Sequence, residues 1–452
     1  MIGLWIVLIT AVIFAIIGIV LAGKRIVKTE EYVLARNKLS LSTMVFTLFA
    51  SGVGSWLLFG PAETLLTAGL VALIGYALSS TLSLWVYGWI GTKIRSVMPE
   101  GSSLTEFVLK RFGKPMYLLV LIVSFVYMAL AMTAELSGIG LAASVVYGMP
   151  AWQTILIIGV LTMIYTAIGG FRASTLTDRI QSYVILPLFA LIVVMSLIIM
   201  GNFSTAYTQA TLPAFGWPGI EYALVLLIGV IAAESFNQVW WQRVYSGKDV
   251  ATMRKAFYLA GILVFPVVML AGLLGVYAVQ AHAAEAPSIA IFSFLKTLPT
   301  WLGSSSIILI VALMMSSMDS LLNGMVSVFT VDIKRVRPKI EDKKLLRVAQ
   351  VLTLVFALGT MAVATKGMSV LYLFLIADLV CAGAAFPVFY GMFQPRLGKK
   401  VAFASCIVGI AVGALLFPNP AFTRGSLFWS FVLAFFLPAV ICLAFRDRKQ
   451  AA

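Results

Sequence analysis

The sequence predicts an all-α polytopic membrane protein, and three observations carry that prediction. The 452-residue chain is 62% hydrophobic and only 11% charged, with a mean hydropathy of +1.05, far from the composition of soluble domains. Apolar segments of about 20 residues, the length that crosses a bilayer, recur along the whole chain. Basic residues fall in alternate connections between those segments. We therefore expect residues 1–452 to form a single membrane domain.

The apolar segments predict about thirteen transmembrane helices, with the N-terminus outside and the C-terminus inside. Of the 32 Lys and Arg residues, all but Lys296, Lys366 and Arg424 fall in predicted inner segments, as the positive-inside rule requires. The first span has no basic residue before it and is long enough to cross, so it is not expected to be a signal peptide. The predicted spans are 2–23, 40–66, 69–91, 116–146, 150–168, 175–200, 219–241, 254–280, 302–332, 348–365, 369–394, 401–416 and 427–445. The predicted inner segments are 24–39, 92–115, 169–179, 242–255, 333–347, 395–400 and the tail after 445.

The charge pattern and the scarcity of reactive residues argue against several functional classes. The net charge of +15 is assigned to inner loops beside anionic lipid, so the bilayer is the expected partner and nucleic acid is not. The three cysteines show no metal or redox spacing, and His282 is the single histidine. No Walker A loop, HExxH or GxSxG motif occurs. We expect neither an enzyme nor a resident cofactor, and we expect a multi-pass protein of the inner (plasma) membrane.

Acidic residues, unlike basic ones, lie within the predicted spans. A charge at the centre of a bilayer costs about 2.5–3.5 kcal/mol on insertion scales, so such residues usually line a cavity or a pathway. Because no base is predicted beside them, bound metal ions or protons are expected to compensate them. Alternatively, individual acids are protonated and bond a neighbouring helix. They are Glu63, Glu135, Glu234, Asp319 and Asp378, with Asp178 and Asp332 near span ends.

Two predicted spans are interrupted by helix-breaking or polar residues. The second carries Gly52 and Gly54 at mid-membrane depth, and the seventh turns polar at Glu234 and again at Asn237. Broken helices five spans apart indicate a transporter built from inverted repeats of five helices, with its site at the breaks. The repeats would be residues 40–200 and 219–394, with 1–39 and 395–452 peripheral. Alternatively, the glycines only allow close helix packing.

Four stretches of the chain resemble the sodium/solute symporter family, which includes proline, sialic acid and sugar carriers. The resemblance implies a secondary transporter that couples sodium influx to uptake of a small polar organic solute by alternating access. Amino acids, sugars, ureides and carboxylates all stay open as the solute. The four stretches are ASGVGSWLLFG at 50–60, GGFRASTLTDRIQ at 169–181, FNQVWWQRVYSGKD at 236–249 and VALMMSSMDSLLN at 311–323.

The resemblance also implies where sodium, the coupling ion, binds. The first sodium would be held by the backbone carbonyls of Ala50, Val53 and Leu313 and the hydroxyls of Ser316 and Ser317. Neutral oxygens suit a monovalent ion that must bind and then leave.

Some members of the family hold a second sodium, and the matching positions here are Asp178, Ser316, Asp319 and Ser320. The family pattern has a serine where this chain has Asp319. The extra carboxylate would tighten the second site or carry a proton, so the stoichiometry stays open.

The same resemblance suggests solute contacts near the two breaks. Trp56 and Asn237 would contact the solute, and Trp240 would close the inner side, unless it is an interfacial tryptophan. Glu135 would orient the solute or only cap a helix contact. Two alternative functions are a transporter-like solute sensor and a proton-coupled symporter that uses Asp319 or Asp178. No appended signalling domain is expected after the final RDRKQAA, which disfavours the sensor.

Overall fold

The computed structural model describes residues 2–22, 28–282, 286–420 and 422–445, and these residues form helices joined by short connections. The predicted inner residues Lys24 and Arg25 and the tail after residue 445 lie outside the described residues. The helices are α1 (Ile2–Ala22), α2 (Thr29–Val33), α3 (Leu41–Gly52), α4 (Gly60–Val97), α5 (Leu104–Phe112), α6 (Lys114–Tyr147), α7 (Ala151–Met200), α8 (Phe203–Gln209), α9 (Trp217–Phe236), α10 (Gln238–Ser246), α11 (Val250–Gln280), α12 (Ala290–Thr297), α13 (Thr300–Val336), α14 (Asp342–Ala364), α15 (Val370–Phe393), α16 (Lys399–Leu416) and α17 (Leu427–Ala444).

Within the described part of the chain, eleven helices are long and apolar enough to cross a membrane. Two of them, α4 and α7, are kinked at glycines with positive φ, Gly69 (83°) and Gly170 (50°). A Cβ at Gly170 would lie 2.4 Å from the Tyr32 carbonyl oxygen, so both backbone angle and space require glycine there. The predicted all-α membrane class is confirmed, whereas the count of thirteen spans, the orientation and the inverted repeat stay predictions.

One predicted connection has a different structure from the one expected. Residues 169–179 were predicted to be an inner loop, because Arg172 and Arg179 interrupt the apolar run. In the structure they continue α7 as helix, with only Gly170 outside helical geometry. Polar residues here do not end the helix because many of them, including Ser174, Thr177 and Asp178, are buried against other helices.

The two predicted helix interruptions are present. Helix α3 ends at Gly52, and Val53 and Gly54 are extended before a 3-10 turn at Ser55–Leu58. The chain then enters α4 with Pro61 in its first turn, where a missing N–H costs no helical hydrogen bond. Helix α9 ends at Phe236, and Asn237 is extended (φ −71°, ψ 110°) before α10.

Helix α13 lies at the centre of the molecule. In its most apolar stretch of 18 residues, 89% of the residues are buried. Helices α3, α6, α7 and α10 pack against it. Helix α15 packs against α6 and α9, while α16 and α17 pack on each other at its outer side. The breaks after α3 and α9 are thereby placed close to α13 and α15.

Candidate functional site

The break between α9 and α10 is held open by hydrogen bonds from side chains. The Tyr87 hydroxyl donates to the carbonyls of Glu234 (2.8 Å) and Ser235 (3.0 Å), and the Trp241 indole N–H donates to that of Ser235 (3.0 Å). Asn237 caps α10, because its Oδ1 accepts the Val239 N–H at 3.1 Å. These bonds replace the helical partners that the break removes.

The break after α3 leaves buried backbone carbonyl oxygens without helical hydrogen bonds. Ala50 and Val53 are fully buried, and among the described residues no backbone N–H donates to either carbonyl. On the adjacent helix α13, the Ser317 hydroxyl is buried without a hydrogen-bond partner. Leu313 lies within a continuous helix, so its carbonyl offers only its second lone pair. Unsatisfied buried oxygens are rare and costly, and a bound cation would satisfy these.

A buried ion pair lies directly beside these oxygens and corrects one sequence-based expectation. Arg243 was assigned to an inner loop, and no base was expected within the spans. The structure buries Arg243 completely on α10, and its Nη2 lies 3.0 Å from Oδ2 of the equally buried Asp178. The same Nη2 donates to the hydroxyls of Thr47 (3.0 Å), Ser51 (2.6 Å) and Ser320 (2.9 Å).

Asp178 is further enclosed by hydroxyl donors. Its Oδ1 accepts from Ser316 at 2.6 Å, and its Oδ2 accepts from Thr47 at 2.5 Å and from Ser51 at 2.9 Å. These contacts tie α3, α7, α10 and α13 together at one point. Three residues of the predicted second sodium site, Asp178, Ser316 and Ser320, therefore lie together, with an arginine in contact with two of them.

Asp319 occupies an adjoining position and is fully buried. Its carboxylate accepts hydrogen bonds from four hydroxyl groups, so every partner can donate. They belong to Tyr165 (2.6 Å), Ser174 (2.7 Å), Thr177 (3.2 Å) and Ser320 (3.2 Å). Asp178, Asp319 and Arg243 together form a buried cluster, called here the ionic cluster. With both carboxylates ionised, its formal charge is −1.

Trp240 contacts the ionic cluster and also lines a cavity. Its ring lies 5.9 Å from the Arg243 guanidinium carbon, and its indole N–H donates to Glu234 Oε2 at 2.5 Å. A Cβ at Gly52 would lie 3.3 Å from the same ring, so glycine leaves room for the indole.

The cavity beside Trp240, called here the inner cavity, has a volume of about 70 Å³ and contains two acidic side chains in its wall, Glu234 and Asp378. It adjoins a larger vestibule of about 320 Å³ that carries Glu63 and reaches Ser288 and Gly367 in predicted outer connections. Trp56 and Tyr76, which stack with ring centroids 5.4 Å apart, line both spaces. The aromatic residues of the inner cavity are Trp56, Tyr76, Tyr127, Tyr222, Trp240 and Phe374.

The predicted solute contacts divide into two groups. Trp56 and Trp240 line the inner cavity, whereas Asn237 and Glu135 are absent from the walls of both spaces. The Asn237 Nδ2 donates to Glu234 Oε2 at 2.9 Å, and Glu135 Oε2 accepts the Ser55 N–H at 2.6 Å. Both side chains thus support a helix break.

The sequence pattern identifies Glu234 and Asp378 only as acids within spans and does not predict their place in a cavity wall. The roles of Tyr76 and Tyr127 were also missed. The one usable signal was an acid in a span without a base at helical spacing. Aromatic residues are too frequent in these spans to single out a tyrosine.

Interrupted helices, buried oxygens at a break and a cavity lined by residues next to both breaks are features of helical membrane transporters that bind their solutes at discontinuous helices. The model of the sodium:solute symporter family matches residues 32–409, and the chain belongs to that family. It is a solute transporter.

Individual relatives are distant from this chain. The spermidine transporter DUR31 of Candida albicans is 27% identical over 361 residues, covering 77% of this chain and 67% of its own length. The sodium/glucose cotransporter of Vibrio parahaemolyticus is 25% identical over 438 residues, covering 86% and 79%. A solved structure of a Na⁺-coupled sialic acid symporter, substrate-bound and outward-open, matches with a TM-score of 0.80 at 19% identity, covering 98% of this chain and 97% of its own. That last likeness concerns the fold alone.

Proposed function

We propose that the protein couples the inward flow of sodium to the uptake of a small polar organic solute by alternating access. The observation that carries this proposal is the set of unsatisfied oxygens at the α3 break, above all the buried Ser317 hydroxyl without a partner. The name of one relative, a sodium/glucose cotransporter, supports it.

In this proposal the first sodium binds the carbonyls of Ala50, Val53 and Leu313 and the hydroxyls of Ser316 and Ser317. Five neutral oxygens replace the hydration shell of the ion without holding it by a formal charge, so the ion can be released. One positive charge crossing about 100 mV gains about 2.3 kcal/mol, enough for roughly fifty-fold accumulation of a neutral solute at one sodium per cycle.

The ionic cluster gives a reason for a second cation. It contains two carboxylates and one guanidinium, and a buried net charge is costly unless an ion or a proton balances it. A second sodium at Asp178, Ser316, Asp319 and Ser320 is one candidate. A proton carried by Asp319 or Asp178 is the other, and it would make the protein a proton-coupled or mixed symporter.

The first site is tested without knowing the solute, by the thermal stabilisation of purified protein in sodium relative to potassium. Ser316→Ala and Ser317→Ala should each raise the half-maximal sodium concentration roughly tenfold, because a closed site loses one ligand that water cannot replace. Ser306→Ala is the matched control, since this buried α13 hydroxyl bonds its own helix at Leu302. Sodium that stabilises no better than potassium at any pH would contradict sodium coupling.

The second cation is tested with Asp319→Asn in proteoliposomes. If the carboxylate binds sodium, the Hill coefficient for sodium should fall from about two towards one. If it carries a proton, sodium dependence should persist and the pH dependence of uptake should flatten. If Asp319→Asn changes neither the sodium dependence nor the pH dependence of uptake, the role of Asp319 is structural. Solute binding without accumulation in vesicles would favour the sensor alternative.

A further inference from the structure

We infer that the solute is an organic ammonium cation, bound in the inner cavity by Asp378 and Glu234. The inference rests on the transport function proposed above and narrows its substrate to one chemical class.

Asp378 is a buried carboxylate in the wall of the inner cavity. This α15 residue is only 8% exposed and lines the inner cavity, and it has no hydrogen-bond or ion-pair partner among the described residues. A Cβ at Gly229 on α9 would lie 3.4 Å from Asp378 Cβ, so the two helices are in ordinary packing contact here. A buried carboxylate with no protein partner, aimed into a cavity, calls for a positively charged ligand.

Glu234 also lines the inner cavity, but unlike Asp378 it has hydrogen-bond partners. Its Oε1 accepts from the Tyr127 hydroxyl at 3.0 Å, and its Oε2 accepts from Asn237 at 2.9 Å and from Trp240 at 2.5 Å. All three partners are donors, an arrangement that suits an ionised carboxylate. The carboxylate is thereby fixed in the cavity wall and adds a second negative charge to it.

The vestibule continues the same charge pattern outward. Glu63 lines it and also has no side-chain partner among the described residues. Within the described chain, neither the inner cavity nor the vestibule has a Lys, Arg or His in its wall. A cleft with acids alone attracts cations and repels anions, which argues against a carboxylate solute.

The aromatic side chains of the inner cavity favour an organic cation over a metal ion as the ligand. Six aromatic side chains line the inner cavity, with Trp56 and Tyr76 stacked at its junction with the vestibule. Aromatic faces attract alkylammonium groups through cation–π contacts and cover their carbon atoms at the same time. The alternative is a neutral polyol bound beside protonated Asp378 and Glu234. Comparing the binding of a diamine with that of a diol distinguishes a cationic ligand from a neutral one.

The test compares 1,4-diaminobutane with its neutral isostere 1,4-butanediol, and with tetramethylammonium, by calorimetry and thermal shift on the purified full-length protein. Potassium replaces sodium in the control buffer, because choline and N-methylglucamine are themselves organic ammonium ions. We expect one or both cations to bind and the diol not to bind. A preference for the primary amine would point to hydrogen bonding by the carboxylates, and a preference for the quaternary ion to the aromatic wall.

Asp378→Asn should weaken cation binding about 30-fold or more, because one partner of a buried charge pair is removed. Asp378→Glu should restore part of it. Glu221→Gln is the control, since this α9 carboxylate is half-exposed and lines neither space. Retained stabilisation of Asp378→Asn by sodium would show that the variant is folded.

Sodium-dependent binding of the diol, or of another neutral or anionic solute, with both cations inactive, would overturn the inference and leave sodium coupling intact. Cation binding of undiminished affinity in Asp378→Asn and in Glu234→Gln would also overturn it. Binding of the organic cation with the same affinity in sodium and in potassium would support the substrate class and contradict the proposed coupling to sodium.

Discussion

Replacing Arg243 by methionine should destabilise the protein more than any other single change in the ionic cluster. Methionine keeps much of the side-chain volume but removes the hydrogen bonds from Nη2 to Asp178, Thr47, Ser51 and Ser320. The formal charge of the cluster changes from −1 to −2. Breaking a buried pair by removing one partner typically costs about 3–5 kcal/mol, and we expect a loss of that size.

The structure predicts an unequal effect for the other member of the pair. Asp178→Asn leaves Arg243 beside Asp319, so the cluster becomes neutral and the cost should be clearly smaller. The double variant Arg243→Met with Asp178→Asn has the original charge and should be more stable than Arg243→Met alone. This non-additivity is the signature of a direct interaction between two charges.

Thermal unfolding followed by tryptophan fluorescence measures these differences. Sodium should stabilise Arg243→Met more than the wild type, because two uncompensated carboxylates bind a cation more tightly. Arg172→Met is the control, since this α7 arginine is exposed. Equal losses for Arg243→Met and Asp178→Asn, or an Arg243→Met protein that melts like the wild type, would refute the reasoning.

Two further predictions concern the α3 break and the topology. Gly54→Ala should abolish uptake and lower the melting temperature, because its Cβ would lie 2.0 Å from Glu135 Oε1. Gly359→Ala is the control, since a Cβ there meets nothing within 4 Å and should change neither property. A Gly54→Ala protein with normal uptake would contradict this geometry. Impermeant thiol reagents should label a cysteine placed between residues 201 and 219 in intact cells but not one between residues 334 and 347, and the reverse pattern would invert the topology.

The interruptions of the second and seventh spans were predictable because they depend on local chemistry. Gly52 and Gly54 favour backbone that leaves the helix, and the change from apolar to polar residues before Asn237 marks the end of α9. The spacing of Ser316 and Ser320 is a signal of the same kind, since residues four apart share one face of a helix. Each of these signals lies within a few residues of sequence.

The position of Arg243 was not predictable in this way. A count of basic residues per connection treats an arginine after the apolar run as a loop residue, and Arg243 stands near the end of its run. Its burial depends on Asp178 and Ser320, which are far away in the sequence and on other helices. The cavity acids show the same limit, because only the packing of α9 against α15 brings Glu234 and Asp378 to one wall.

The Trp240 side chain has a thermodynamic consequence for coupling. One indole contacts the guanidinium of the ionic cluster with its ring and a carboxylate of the inner cavity with its N–H. Any coupling free energy transmitted through this residue is reciprocal: the factor by which a bound ion tightens solute binding is also the factor by which the solute tightens ion binding. Phenylalanine at this position would keep an aromatic face for Arg243 and lose the donor to Glu234, so the two halves of that linkage are chemically separable.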